Sequence, residues 1–346
     1  MRKFLVPTKD TSIYQAYPTN NAGFDEILEI GKLAGTTLVE SSYATASVRS
    51  LLYFELPTTE SVSPDAKYYL NLRLANANNV QRNQTILIYK VSQSWDEGSG
   101  YFYQDIKNVN DGATWQQSNT YTSWSFEGGD FLTASTSASV ILTNYPMQDI
   151  RVDITNILQP IVSQSLQSTF YGLGLQFPST DEADKYNLGN IKVFSAQTHT
   201  IHQPTLEIAW DNQSFVTGSV LYPLPPLLNV KVSPINLAET YAQGDVTRIN
   251  FNVRDEYPTK AFDSKLRYKN KYYLPSASYY SVVDTQANTV IVPFDEYSKI
   301  NCDTSGSYVD LDTSALYKGR FYTIKLKVQS GQYTKTISTD KLFRIV

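Results

Sequence analysis

Residues 320–328 read Arg320-Phe321-Tyr322-Thr323-Ile324-Lys325-Leu326-Lys327-Val328. Tyr322, Ile324, Leu326 and Val328 alternate with Thr323, Lys325 and Lys327, and a period of two sends the two sets to opposite faces of a strand. The same alternation recurs at 67–75, where Leu70, Leu72 and Leu74 oppose Asn71 and Arg73. It recurs again at 149–154, where Ile150, Val152 and Ile154 oppose Asp149, Arg151 and Asp153. Further strands are predicted at 47–56, 85–91, 169–177, 190–196, 204–210, 246–254, 279–284, 289–293 and 341–346. Turn residues separate nearly all of them, a spacing that predicts an all-β chain of sandwiches or jelly rolls. One short helix is predicted within Asp153–Val162. Starting it near Asn156 places Pro160 in its first turn, and the helix is expected to plug one end of the first sandwich.

The chain has 346 residues, more than one core usually covers, so two domains are expected. Trp210-Asp211-Asn212 closes a strand, and Pro223, Pro225 and Pro226 then follow within four positions. The expected organisation is a sandwich over 1–212, a stiff proline-rich linker over 213–227 and an immunoglobulin-like sandwich over 228–346. Charged residues make up 18 % and the net charge is −4, which argues neither for nucleic acid nor for an anionic membrane surface. The single cysteine, Cys302, allows no internal disulfide. The apolar run Phe4-Leu5-Val6 is too short for a signal peptide, and no stretch approaches the roughly 18 apolar residues of a membrane span. Synthesis in a cytoplasm is therefore expected. The 26 tyrosines suit both a half-buried pleated surface and a large contact surface.

Ser94-Trp95-Asp96-Glu97-Gly98, Asp111-Gly112-Ala113-Thr114-Trp115, Trp124 and Gly128-Gly129-Asp130-Phe131 show no helical period. Residues 94–131 therefore read as a long ordered excursion from the β scaffold, able to present rings and carboxylates outward. Trp95, Trp115 and Trp124, with Tyr101 and Tyr103, are the candidate contact residues: an indole can stack on a sugar face while carboxylates accept from its hydroxyls. The other reading has the tryptophans fastening the loop to the sandwich. Asp96, Glu97, Asp111 and Asp130 are the candidate ligands for calcium, although no EF-hand spacing supports them.

No catalytic residue is assigned. His199 and His202 fall on opposite faces if 198–208 is a strand, and no His-Glu-x-x-His pattern, Gly-x-Ser-x-Gly elbow or phosphate-cradling loop occurs. Cys302 lies beside Asp303, which opposes thiolate formation. Gly172-Leu173-Gly174 sits in a strand pattern, where it is expected to relieve packing or mark a bulge. The acids Asp181, Glu182, Asp184, Asp295 and Glu296 read as solvated or capping groups.

The first domain resembles DNRLRE-type domains, lectin-like jelly-roll modules of extracellular and cell-wall proteins. The resemblance rests on Leu28–Gly31, Arg49-Ser50-Leu51-Leu52-Tyr53-Phe54-Glu55-Leu56, the tryptophan-bearing segments of 94–131, Val152–Thr155 and Pro204–Ile208. Glu55 stands where that family often has Asp. The second domain is similar to modules of tailed-bacteriophage structural proteins through Tyr272–Pro275, Tyr279–Asp284, Val292–Asp295, Cys302-Asp303 and Gly319–Tyr322. These resemblances imply a non-enzymatic virion component without a cofactor, at the neck, tail or capsid surface, docking other virion proteins and copies of itself in a symmetric assembly. The alternative they imply is a carbohydrate-binding module or host-surface adhesin.

Overall fold

The computed structural model describes residues 1–33, 45–58, 62–80, 83–101, 111–143, 148–218, 221–224, 229–257 and 272–346. The chain divides into two units, Leu5–Ile208 and Met1–Phe4 with Ala209–Val346. Both are built from paired strands, and the fold is all-β.

The chain opens with β1 (Arg2–Leu5), β2 (Lys9–Tyr14), β3 (Ile27–Leu33) and β4 (Ala46–Tyr53). Next come β5 (Lys67–Leu72), β6 (Leu74–Asn78), β7 (Asn83–Lys90), β8 (Gln117–Asn119) and β9 (Thr122–Ser123). They are followed by β10 (Ala138–Thr143), β11 (Ile150–Asp153), α1 (Thr155–Ser163), β12 (Leu173–Gln176), α2 (Ser179–Ala183), β13 (Asn190–Phe194) and β14 (Thr205–Ala209). One large sheet has the order β10-β7-β12-β4-β3-β13-β6, with β2 also paired to β4. A smaller sheet carries β14, β5 and β11 in that order. Leu52, Ile86, Ile88, Leu173 and Leu175 of the first, and Tyr68, Leu70, Leu72, Val152 and Leu206 of the second, are buried. Alternate residues turn inward because the pleat leaves no other choice.

Two local expectations are corrected. The strand expected over 67–75 breaks at Arg73: β5 belongs to the smaller sheet and β6 to the larger. Asp149 holds the break, accepting from the Leu74 N–H at 2.9 Å and from the Arg73 guanidinium at 2.5 Å. The helix starts at Thr155, one residue before the expected Asn156, because Asp153 accepts the Thr155 N–H at 2.9 Å. Pro160 therefore lies beyond the first turn. It offers no N–H to the Asn156 carbonyl, and both residues are exposed, so solvent can serve that carbonyl. Ile157, Leu158, Ile161 and Val162 form the buried face of α1, which packs on β5.

The other unit contains β15 (Tyr222–Pro223), β16 (Val230–Pro234), β17 (Thr240–Tyr241), β18 (Val246–Asp255), β19 (Tyr272–Tyr273) and β20 (Tyr279–Asp284). It continues with β21 (Thr289–Val292), β22 (Asn301–Asp303), β23 (Gly306–Asp312), β24 (Phe321–Ser330) and β25 (Tyr333–Ile345). A four-stranded sheet, β16-β18-β23-β22, faces a five-stranded one, β17-β25-β24-β20-β21, across a shared apolar core. Tyr322, Ile324, Leu326 and Val328 all point into that core, as their alternation requires. The Tyr322 hydroxyl accepts from the Tyr317 N–H at 2.7 Å and donates to the Tyr317 carbonyl at 3.2 Å. This side-chain-to-backbone corner pins the chain as it enters β24 of the sandwich. Burial pushes its phenol up to about 12.

The described part of the segment expected as a linker is not free. Cys302 N–H donates to the Ser214 carbonyl and Val216 N–H to the Cys302 carbonyl, each at 2.9 Å. Tyr222–Pro223 pairs in parallel with Tyr272–Tyr273. Pro225 and Pro226 lie outside the described residues. Residues 1–4 also join this unit: Arg2 is buried against Asp295, and Phe4 N–H donates to Ser314 Oγ at 3.0 Å.

Replacing Tyr322 by Phe leaves the core volume unchanged but removes both corner bonds. We expect a loss of about 1–3 kcal/mol, read as a lower urea midpoint at unchanged slope. An unshifted midpoint would show that the corner does not carry stability.

Candidate functional site

The site is the excursion, and its foundation is one face of the large sheet. Register places Ile13 opposite Arg49 and Gly174 opposite Leu51, so Ile13, Arg49, Leu51 and Gly174 share that face. Trp95, Trp115, Trp124, Val91 and Ala113 pack on Ile13 and Leu51, with Tyr53, Phe131 and Tyr171 at the margin. Gly174 lies beneath the Phe131 ring, where a Cβ would come within 2.1 Å of Phe131 Cε1. A Cβ on Gly172 would meet the Leu52 carbonyl at 2.5 Å. The two glycines thus relieve packing, as their place in a strand pattern suggested.

Burial decides between the two readings of the tryptophans. Trp95, Trp115 and Trp124 are 3 %, 5 % and 5 % exposed. Trp95 Nε1–H donates to the Tyr171 carbonyl at 2.7 Å, and Trp124 Nε1–H to the Thr114 carbonyl at 2.9 Å. So buried, they fasten the excursion, and the polar edges of Trp95 and Trp124 are satisfied internally. Tyr101, by contrast, is exposed, as are Tyr121 at the turn between β8 and β9 and Phe126. Tyr101 meets the exposed ring of Phe24 edge-on, with centroids 6.1 Å apart. Tyr103 lies outside the described residues.

The four acids offered for calcium do not converge. Asp96 is exposed and faces Lys9 at 3.4 Å. Glu97 accepts the Asp10 N–H at 2.9 Å and the Gln197 amide at 3.1 Å. Asp111 accepts from the N–H and hydroxyl of Ser99. Asp130 accepts the Ser125 and Phe126 N–H groups, each at 2.8 Å. Each side chain is engaged by local donors, and among the described residues no group of three or more His, Cys, Asp or Glu is placed to hold a metal ion.

Other acids serve the same bracing. Glu182 forms a two-pronged pair with Arg49, at 3.0 and 2.7 Å. Asp181 accepts the Gln84 amide at 2.8 Å. The strand expected over 198–208 begins at Thr205, so His199 and His202 both precede it. His199 stands 3.5 Å from Glu26, and the His202 ring lies against Phe194. Burial, and then Asp303, push the Cys302 thiol up.

Three residues that organise the site were not singled out as site residues from sequence. Arg49 donates to the Gly128 carbonyl at 2.9 Å and lies 4.9 Å from the Trp115 ring centroid and 5.7 Å from that of Phe131. Asn21 is fully buried: its amide N–H groups donate to the Glu97 and Ala113 carbonyls, and its oxygen accepts the Gly23 and Gly100 N–H groups. Around it Gly98 and Gly112 approach so closely that a Cβ on Gly112 would meet Gly98 Cα at 2.4 Å. Asp10 is buried on the inward face, opposite Leu52. Its Oδ2 accepts the Ala196 N–H at 2.6 Å, while Oδ1 finds no donor. Burial, assisted by nearby Glu97, raises its carboxyl from 3.8 to about 8, and burial also raises Glu97.

No family model matches this sequence, and no curated protein matches it. The solved structures that it is similar to include three distant likenesses. A DUF4785 family protein from Legionella pneumophila is 10 % identical over 98 % of this chain and 65 % of its own, with a TM-score of 0.18. A beta-glucuronidase from Parabacteroides merdae is 13 % identical over 96 % of this chain and 35 % of its own, with a TM-score of 0.19. One from Bacteroides uniformis is 9 % identical over 100 % of this chain and 35 % of its own, also at 0.19. The chain thus spans about two thirds of the first protein and about one third of the two glucuronidases.

Two outcomes test this account. Gly174→Ala drives a methyl into Phe131, so the excursion should lift from the sheet at a cost of about 1–3 kcal/mol. Tryptophan emission should shift to the red and proteolysis within 94–131 should rise, and adding Phe131→Ala should reverse part of both changes. Unaltered emission would contradict the packing. The Asp10 carboxyl binds its proton more tightly folded than unfolded. Its stabilisation is therefore complete below about pH 4 and is lost as pH rises through 8. The thermal midpoint should fall between those limits, and Asp10→Asn should flatten the slope; an equal slope in the variant would exclude Asp10 as its source.

Proposed function

We propose that this chain is a non-enzymatic structural component of a tailed-phage virion, and that it docks neighbouring subunits through the 94–131 excursion. The observation that supports docking is the division of labour among the aromatic rings. Three indoles are spent on bracing the excursion from within, while Tyr121, at 95 % exposure, and Phe126, at 77 %, are held out to solvent. Large rings fixed on a braced surface suit a contact, because Tyr and Phe supply area with little rotamer entropy left to lose. The phage context rests on the resemblance carried by Tyr272–Pro275, Tyr279–Asp284 and Gly319–Tyr322.

A second reading, glycan binding, draws on the edge-to-face pair of Phe24 and Tyr101, two exposed rings. It would use these rings and not the tryptophans.

Tyr121→Ser with Phe126→Ser alters only exposed side chains, so the variant should keep its stability within about 0.5 kcal/mol. Supplied in place of the unaltered chain during particle production, it should be missing from the purified particles. Full incorporation would overturn the docking role of the excursion. Glycan-array binding by the full chain that survives this pair but is lost in Phe24→Ser would favour the second reading.

A further inference from the structure

We propose that one copy of this chain docks head to tail on the next, the acidic, ring-bearing excursion of one seating on the basic outer face of the five-stranded sheet of the other. This names the partner for the contact reading above and rests on it.

Charge is divided between the two units far more sharply than the net −4 suggests. Residues 5–208 hold 11 Lys and Arg against 20 Asp and Glu, a net −9. The remainder holds 18 against 13, a net +5. Within the acidic unit, residues 94–131 carry six acids and one lysine. That net −5 exceeds the negative charge of the entire chain. Asp96, its side chain 66 % exposed, and Glu127 are acids of the excursion that lie open to solvent, alongside Tyr121 and Phe126.

The complementary face lies on the other unit. With Tyr322, Ile324, Leu326 and Val328 turned into the core, register places Phe321, Thr323, Lys325 and Lys327 of β24 on the outer face. Arg344 and Leu342 stand opposite Phe321 and Thr323, and Tyr279 stands opposite Lys327. Phe321 and Leu342 are exposed apolar side chains. The Arg344 guanidinium lies 5.7 Å from the Phe321 ring centroid, and the Lys327 ammonium 6.0 Å from that of Tyr279. No ion pair is formed by Lys325, Lys327 or Arg344 among the described residues. The acid nearest in register is Asp340, set in the bulge of β25 between Ser338 and Leu342. Cations backed by rings and without carboxylate partners face a segment rich in acids, of which Asp96 meets Lys9 and Glu127 the Gln116 amide, so the two surfaces are complementary in net charge. Two different patches on one chain make a heterologous contact, which propagates into a ring or a filament and suits a symmetric particle.

The test is sedimentation of the full chain at about 0.02 M and about 0.5 M salt, since exposed pairs weaken as the screening length shrinks. Species larger than the monomer are expected at low salt and monomer at high salt. Asp96→Lys with Glu127→Lys, and separately Lys325→Glu with Lys327→Glu, should each weaken association at least about tenfold. An equimolar mixture of the two variants should regain it, because each then offers what the other needs. A wild-type chain that stays monomeric at low salt up to about 0.1 mM would overturn the proposal, as would association that neither reversal weakens. If that happens while Tyr121→Ser with Phe126→Ser still abolishes incorporation into particles, the excursion docks on a different protein, and only the self-docking inference falls.

Discussion

The excursion stands on the environment of one guanidinium. Arg49 leaves the large sheet between two aromatic rings, donates to the backbone at Gly128 and is neutralised by both oxygens of Glu182. Its planar fork fits all of these at once, which an ammonium could not do. The pair is largely buried, at 17 % and 10 % side-chain exposure, so removing either partner would strand a charge in an apolar setting. Such a loss costs about 3–5 kcal/mol, several times the cost of breaking an exposed pair. Segments far apart in the chain are thereby tied together: the strand that carries Arg49, the excursion at Gly128, 79 positions on, and the segment that carries Glu182, 133 positions on.

Much of this was legible in the sequence, and the reasons it stopped being legible are physical. Alternation located core strands such as 320–328, because a period of two is a local property of the chain. Gly172 and Gly174 could be read as packing devices because glycine inside a strand has few other uses. Their partners could not, since nothing near Gly174 points to Phe131. Asn21 lies in a polar run, Thr19-Asn20-Asn21, that resembles any surface turn. Its role comes from carbonyls and N–H groups contributed about eighty to ninety positions later. Tryptophan in a loop was ambiguous for a related reason. An indole braces or binds depending on which surface faces it, and composition does not encode that surface.

The segment after Asn212 teaches the same lesson. Prolines remove donors and stiffen the chain, so a proline-rich run reads as a spacer. Yet a strand edge needs only alternate groups bonded, and Ser214 and Val216 supply them to Cys302. Pro223 sits in a two-residue parallel pair, where a missing N–H is tolerated at an edge. Of the segment that reads as a hinge, 214–216 lies along the edge strand that holds Cys302, and Tyr222–Pro223 forms a separate two-stranded pair.

Bracing the excursion from within bears directly on what it can do. A loop that must order itself upon binding loses roughly 0.5–1.5 kcal/mol for each rotamer-rich side chain it immobilises. Here that ordering belongs to folding: the indoles are buried, Asn21 holds four backbone groups, and Asp130 fixes the turn that carries Phe126. In the docking proposed above, Tyr121 and Phe126 would therefore meet a partner with little left to lose except their own rotamer freedom. Exposed hydrophobic rings held this firmly have a cost in solubility, and the acids around them offset it. The same acids repel a like-charged surface and attract a basic one. In the docking proposed above, one set of carboxylates would both offset the exposed rings and select the partner.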